Sequence, residues 1–122
     1  MPGFTHDRFE NHQEIRVSTA VSVPLIMSAA SVLSSDPEFN RLHAMWVFGS
    51  GVQPLAYSEF DTVLDMLRRL YVGASPGKRV ALVAEGSFGL GVAEMFREAA
   101  SGLVVEYGVF DNCTKARSWL GV

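Results

Sequence analysis

Few residues in this 122-residue chain are equipped for chemistry, and none stands beside an obvious partner. Cys113 follows Asp111-Asn112, where a terminal helix is expected to begin, and the positive end of a helix dipole favours a thiolate. No His or Asp follows at a spacing that suggests a dyad, and a single cysteine more often behaves as a partly buried, inert apolar group. His6 and His12 lie in the N-terminal segment and His43 precedes a strand-like run. None has an identifiable carboxylate or nucleophile partner, so no acid–base role is assigned. Cysteine, histidine and carboxylates nowhere show metal-ligand spacing. No catalytic residue, metal or cofactor is implied.

Binding chemistry has better candidates. Gly86-Ser87-Phe88-Gly89-Leu90-Gly91 separates an apolar run at 80–84 from a helical pattern, the position at which open α/β sheets hold ligands beyond their strand ends. Its spacing is G-x-x-G-x-G, which differs from the dinucleotide fingerprint and lacks the Lys-Ser/Thr of a phosphate-cradling loop. The same glycines would also serve a tight turn with close helix-on-sheet packing. Gly49-Ser50-Gly51 ends another apolar run in the same way. If the two loops adjoin, Gly49, Ser50, Gly51, Tyr57, Gly86, Ser87, Phe88 and Gly89 would wall a small pocket.

Ser58-Glu59-Phe60-Asp61 has the form of a capping box, with hydroxyl and carboxylate satisfying orphan amides at a helix start. Ser58 therefore has two readings. It is a plain cap, or it is a phosphoacceptor whose phosphate would rest on those amides with Asp61 opposing it.

Composition narrows the function classes. The chain is 48% hydrophobic and 19% charged, which argues against intrinsic disorder and suits one domain with a single core. Net charge is −3 with no basic run, so nucleic acid is not an expected partner. The longest apolar runs fall well short of a membrane span. Residues 1–13 include charged residues and no apolar core, unlike a signal peptide. One cysteine cannot close an internal disulfide, which fits a reducing, cytoplasmic setting.

The elements that would position these residues read clearly. Residues 1–13 form an N-terminal extended segment, with Phe4 to Phe9 extended, ahead of a domain spanning 14–122. Glu14-Ile15-Arg16-Val17-Ser18 alternates, as in an edge or near-edge strand with one wet face. Pro24 suits a first helical turn, Leu25, Ile26, Ala29, Val32 and Leu33 recur at helical spacing, and Ser34-Ser35-Asp36-Pro37 ends that helix. Ala44-Met45-Trp46-Val47-Phe48 is apolar on both faces, like a central parallel strand. Phe60, Val63, Leu64, Leu67, Leu70 and Tyr71 mark a second helix, with Arg68 and Arg69 at its negative end. The last third reads as one β-α-β-α unit: a strand at 80–84, a helix inside 87–100, a strand at 103–110, and a helix opened by Asp111 or Asn112 and closed by Trp119-Leu120. Condensed, the order is β-β-α-β-α-β-α, an α/β domain with a mixed, mostly parallel sheet and helices on its faces.

This order, with Gly91-Val92-Ala93-Glu94-Met95-Phe96, Val109-Phe110-Asp111 and Ala116-Arg117-Ser118-Trp119-Leu120, resembles the SpoIIAA-like proteins of the STAS (sulphate-transporter and anti-sigma-factor-antagonist) fold. Asp36-Pro37 after the first helix also fits, and the resemblance spans roughly residues 13–122. In the anti-sigma antagonists a serine at the helix after the central strand is phosphorylated by a partner kinase, and the corresponding position here is Ser58. Its neighbours are Ala56-Tyr57 and Glu59-Phe60, without the antagonists' acidic residue before a Ser-Gly turn. The resemblance implies a fold and no reaction.

The leading expectation is a non-catalytic cytoplasmic module that binds a partner protein or a small ligand, apolar ligands included. The alternatives are a phospho-switched regulator with Ser58 as acceptor and an uncharacterised small enzyme. A short edge strand and an amphipathic helix are compatible with homodimerisation.

Overall fold

The computed structural model describes residues 3–18, 22–49, 60–85 and 105–122. Five strands form one sheet in the order β1-β2-β3-β4-β5. They are β1 (Phe4–Arg8), β2 (His12–Val17), β3 (His43–Phe48), β4 (Arg79–Ala84) and β5 (Glu106–Phe110). Three helices accompany them: α1 (Val23–Ser34), α2 (Phe60–Tyr71) and α3 (Cys113–Leu120). β1 runs antiparallel to β2, and the other three pairs are parallel. This is the expected mixed, mostly parallel α/β domain, with one strand more than the condensed order counts. The helix expected inside 87–100 lies outside the described residues.

The register sorts the side chains. Ile15, Trp46, Leu82 and Val109 stand in one row across β2 to β5, and Glu14, Met45, Ala81 and Gly108 in the row beside it. Successive residues point to opposite faces of a strand, so the two rows belong to opposite faces. The first row joins Leu25, Ile26, Ala29 and Leu33 of α1 and Val63, Leu67 and Tyr71 of α2 in the larger core cluster. Met45, Val47, Ala81 and Val83 pack under Ala116 and Leu120 of α3 in the smaller one. α1 and α2 sit on one face because two successive steps between parallel neighbours in the same direction, both right-handed, must cross on the same side. α3 follows the last strand, bridges nothing, and takes the other face.

Local signals explain the helix ends. Ser22 caps α1, its Oγ accepting from Leu25 N–H at 3.3 Å, and proline occupies the first turn. Ser35 closes α1 by donating its N–H to Ser31 O at 3.1 Å. Of the two residues expected to open the last helix, Asn112 does so, its Oδ1 accepting from Lys115 N–H at 2.9 Å. Gly121 ends α3 at φ 80°, donating its N–H to Arg117 O and Ser118 O. That left-handed turn is the usual glycine terminator.

Phe4 to Arg8 is extended, as expected, and joins the sheet as a strand paired along its whole length, from Phe4 opposite Val17 to Arg8 opposite Gln13. β2 keeps only part of the expected wet face: Arg16 is exposed, whereas His12, Gln13 and Glu14 are all buried. Gln13 donates to Leu33 O at 3.3 Å and accepts from His6 Nε2 at 2.7 Å, tying β1, β2 and α1 together. Glu14 is covered from α3. Alternation showed polar residues but not the helix that would bury them.

Candidate functional site

Among the described residues, an open cleft of about 350 Å³ lies at the edge of the sheet where the parallel strands begin. Four segments wall it: Asn11 just before β2, Arg41 and His43 at the entry to β3, the turn at 75–78 before β4, and the end of α3 from Leu120 to Val122. Parallel strands start side by side, so the chain entering each one delivers a residue to a common rim. Asn11 O accepts from His43 N–H at 3.1 Å and Ser75 N–H donates to Asn40 O at 2.9 Å, which locks the walls to one another. Gly77, at φ 87°, lets the chain turn so that Lys78 N–H reaches Ser75 O at 3.1 Å.

The lining is polar and leans basic. His43 Nδ1 accepts the Arg79 backbone N–H at 2.9 Å, so the neutral ring carries its proton on Nε2. Burial, then the positive charges of Arg79 and Lys78, hold the His43 pKa below its ordinary value. Arg41 donates to Glu38 Oε2 at 2.5 Å and is exposed.

Lys78 is the least expected member. It is 2% exposed, and its Nζ donates to Phe39 O at 2.5 Å while sitting 3.8 Å from the Phe39 ring centroid and 5.0 Å from that of Tyr71. Two aromatic faces and a carbonyl replace its water shell. No carboxylate pairs with it among the described residues, and burial lowers its pKa to about 8.

Beyond the cleft, the reactive residues are tied into the structure. His12 stacks on Phe9, with ring centroids 4.6 Å apart, and bonds Glu14 Oε2 from Nε2 at 2.8 Å. An ionised carboxylate only accepts, so that nitrogen is protonated. His12 thus has the carboxylate partner that its sequence neighbourhood did not reveal, because the partner lies two residues along on the same strand face. Glu14 also receives Arg117, from Nε at 2.9 Å and Nη2 at 3.0 Å. Burial would raise the Glu14 pKa, but the bonds from Arg117 and His12 outweigh it and hold the carboxyl below its usual range. Cys113 is the first residue of α3, as expected, and its Sγ lies 3.7 Å from Arg16 Nη2. No group of three or more His, Cys, Asp or Glu side chains suited to a metal occurs among the described residues.

Of the residues expected to wall a pocket at the other edge of the sheet, Gly49 is described: half-buried, directly after β3, beside the bond from Glu85 N–H to Phe48 O at 3.1 Å. Ser50, Gly51, Tyr57, Gly86, Ser87, Phe88 and Gly89 lie outside the described residues, as does Ser58. The cleft itself carries no motif in the sequence. Its members come from four separated stretches, and only the start of each strand marks them.

No family model matches this chain, and no curated protein does. A solved structure does resemble it: an uncharacterised protein of the DUF3478 family, with a SpoIIAA-like fold, from Shewanella loihica PV-4. The two superpose with a TM-score of 0.61 over 96% of this chain and 91% of the other, at 14% sequence identity. The fold is SpoIIAA-like. At that identity the likeness concerns the arrangement of the SpoIIAA-like sheet and helices, and the resemblance read from the chain's ending is met at the level of fold. No helix among the described residues is long and apolar enough to cross a membrane.

Proposed function

We propose that this chain is a non-catalytic binding module that takes a small ligand in the cleft where the parallel strands begin. One observation carries the proposal: the cleft is walled by four chain segments that the sheet holds together, yet several polar groups on its rim remain unspent. Among the described residues, His43 Nε2, the Asn11 side-chain amide and the Ser75 hydroxyl have no bonding partner. Preformed concavity with a few converging polar groups is the usual character of a ligand site. A polar ligand suits this lining better than an apolar one. A reducing, cytoplasmic setting belongs to this reading and is supported by the single cysteine, which cannot close an internal disulfide.

Amide NMR of the isotopically labelled chain against a mixed set of polar and apolar fragments tests the proposal. Saturable shifts at His43, Ser75, Gly77 and Gly121 are expected. Saturable shifts confined to other parts of the sheet, or conversion of a fragment into product, would overturn it.

A further inference from the structure

Resting on that reading, we infer that the cleft is an anion site: its ligand is a small molecule bearing a carboxylate or a phosphate, held by Arg41, His43 and the polar rim of Asn11 and Ser75. No aspartate or glutamate is among the residues lining the cleft. The groups that can engage a ligand are predominantly donors. Nδ1 of His43 is spent on the Arg79 N–H, so the neutral ring offers the cleft an N–H and no acceptor. Arg41 engages Glu38 through one terminal nitrogen, and a guanidinium has five N–H groups in all. Asn11 and Ser75 adapt to either role.

The side-chain charges around the cleft lean the same way, against the negative end of the α3 dipole at Leu120 to Val122. Arg79, Lys78, His12 and Arg41 each disfavour the protonated form of His43. Glu106, Glu14 and Glu38 pair with Arg79, His12 and Arg41, which leaves Lys78 as the cation of this set with no acid partner among the described residues. Lys78 is the deepest, its ammonium held by Phe39 O and two rings with no counter-charge among the described residues. Positive groups lining a concavity with low-dielectric walls reinforce one another and favour an anion. A neutral polar ligand would use the same donors but leave the Lys78 charge uncompensated. An apolar ligand would leave the donors unpaired, which is costly once water is displaced.

The experiment compares three probes on the intact chain: inorganic phosphate, acetate, and acetamide as the neutral counterpart of acetate. Amide shifts at His43, Ser75 and Gly77 are expected to saturate with phosphate and acetate, to weaken as salt is raised, and to be absent with acetamide. The His43 ring is expected to titrate at higher pH with anion bound, because the ligand's charge offsets the field of its neighbours. Arg41→Gln is expected to weaken binding roughly fivefold, the loss of one charge-assisted contact. Arg69→Gln, a solvent-facing change on α2, should leave it unchanged. Equal saturation by acetamide and acetate would overturn the anion inference and leave the binding module standing. If none of the three probes moves the cleft amides, the inference falls. The fragment set then decides the binding-module reading on its own.

Discussion

Arg117 of α3 grips Glu14 of β2 with two parallel bonds, of 2.9 and 3.0 Å, across 103 positions of sequence. The fork is the strong form of a guanidinium–carboxylate pair. His12 adds a third bond to the same carboxylate at 2.8 Å. Glu14 therefore remains ionised inside the sheet, its side chain 9% exposed, while Arg117 stays 42% exposed.

Removing the guanidinium should cost more than removing the pair. Arg117→Ala leaves a buried carboxylate with only His12, and we expect a loss of roughly 2–3 kcal/mol, below the full penalty for a broken buried pair because Arg117 is partly solvated. Glu14→Leu with Arg117→Leu should recover most of it. Urea unfolding of the three proteins measures this, and an Arg117→Ala midpoint equal to wild type would refute the staple. The sign with pH follows from Glu14: its folded pKa lies below its unfolded value of 4.5. Its stabilisation is complete above that value and is lost as pH falls through the lower folded one.

Lys78 predicts the opposite slope. Its folded pKa is about 8 against 10.5 unfolded, so between those values the unfolded chain binds more protons and stability rises with pH. The full rise would be on the order of 3 kcal/mol. Burial raises the pKa of Tyr71 and Tyr107, and above about pH 10 these phenols reverse the trend. The window to measure is therefore pH 8 to 9.5. Lys78→Met should flatten the slope there and be no less stable than wild type at pH 7. A flat wild-type profile would contradict the buried ammonium.

Gly108 lies in β5 beneath the end of α3. A Cβ there would fall 2.8 Å from Phe110 Cε2 and 3.2 Å from Trp119 Cη2. Those two rings already pack together, with centroids 5.4 Å apart. Gly108→Ala should cost about 1–3 kcal/mol by overpacking, with the tryptophan fluorescence altered as Trp119 moves. An unchanged melting temperature and spectrum would show that the rings yield freely.

The two ends of α3 set how firmly Arg117 is presented. Asn112→Ala removes the cap on Lys115 N–H and should cost about 1 kcal/mol. Gly121→Ala, at φ 80°, should cost a similar ~1 kcal/mol in backbone strain. Hydrogen exchange at Ala116 and Arg117 is expected to quicken in both. Exchange confined to wild-type rates would mean that packing alone holds the helix.

Fold class was legible because its determinants are local. The run from Ala44 to Phe48 is apolar on both faces, Pro24 marks one helix start and Asn112 another. Each acts within a few residues, so the chain declares it wherever it folds. The terminal helix ends on Trp119 and Leu120, which pack into the smaller core cluster, and Cys113 sits in its first turn as expected.

What the linear chain did not disclose depends on contacts between distant stretches. Glu14 in an alternating segment reads as solvent-facing, and only the placement of α3 on that face, delivering Arg117, makes it a buried charge. Lys78 carries no signal in the sequence; Phe39 from the turn after α1 and Tyr71 from α2 close over it. The cleft arises because parallel strands begin in register, which brings Asn11, His43 and the 75–78 turn together without a motif in any of them. Periodicity and capping were enough to indicate four of the five described strands and the three described helices in their order. Charge burial and the cleft were decided by strand order and helix placement, since the energy of a charge is set by what surrounds it in space rather than along the chain.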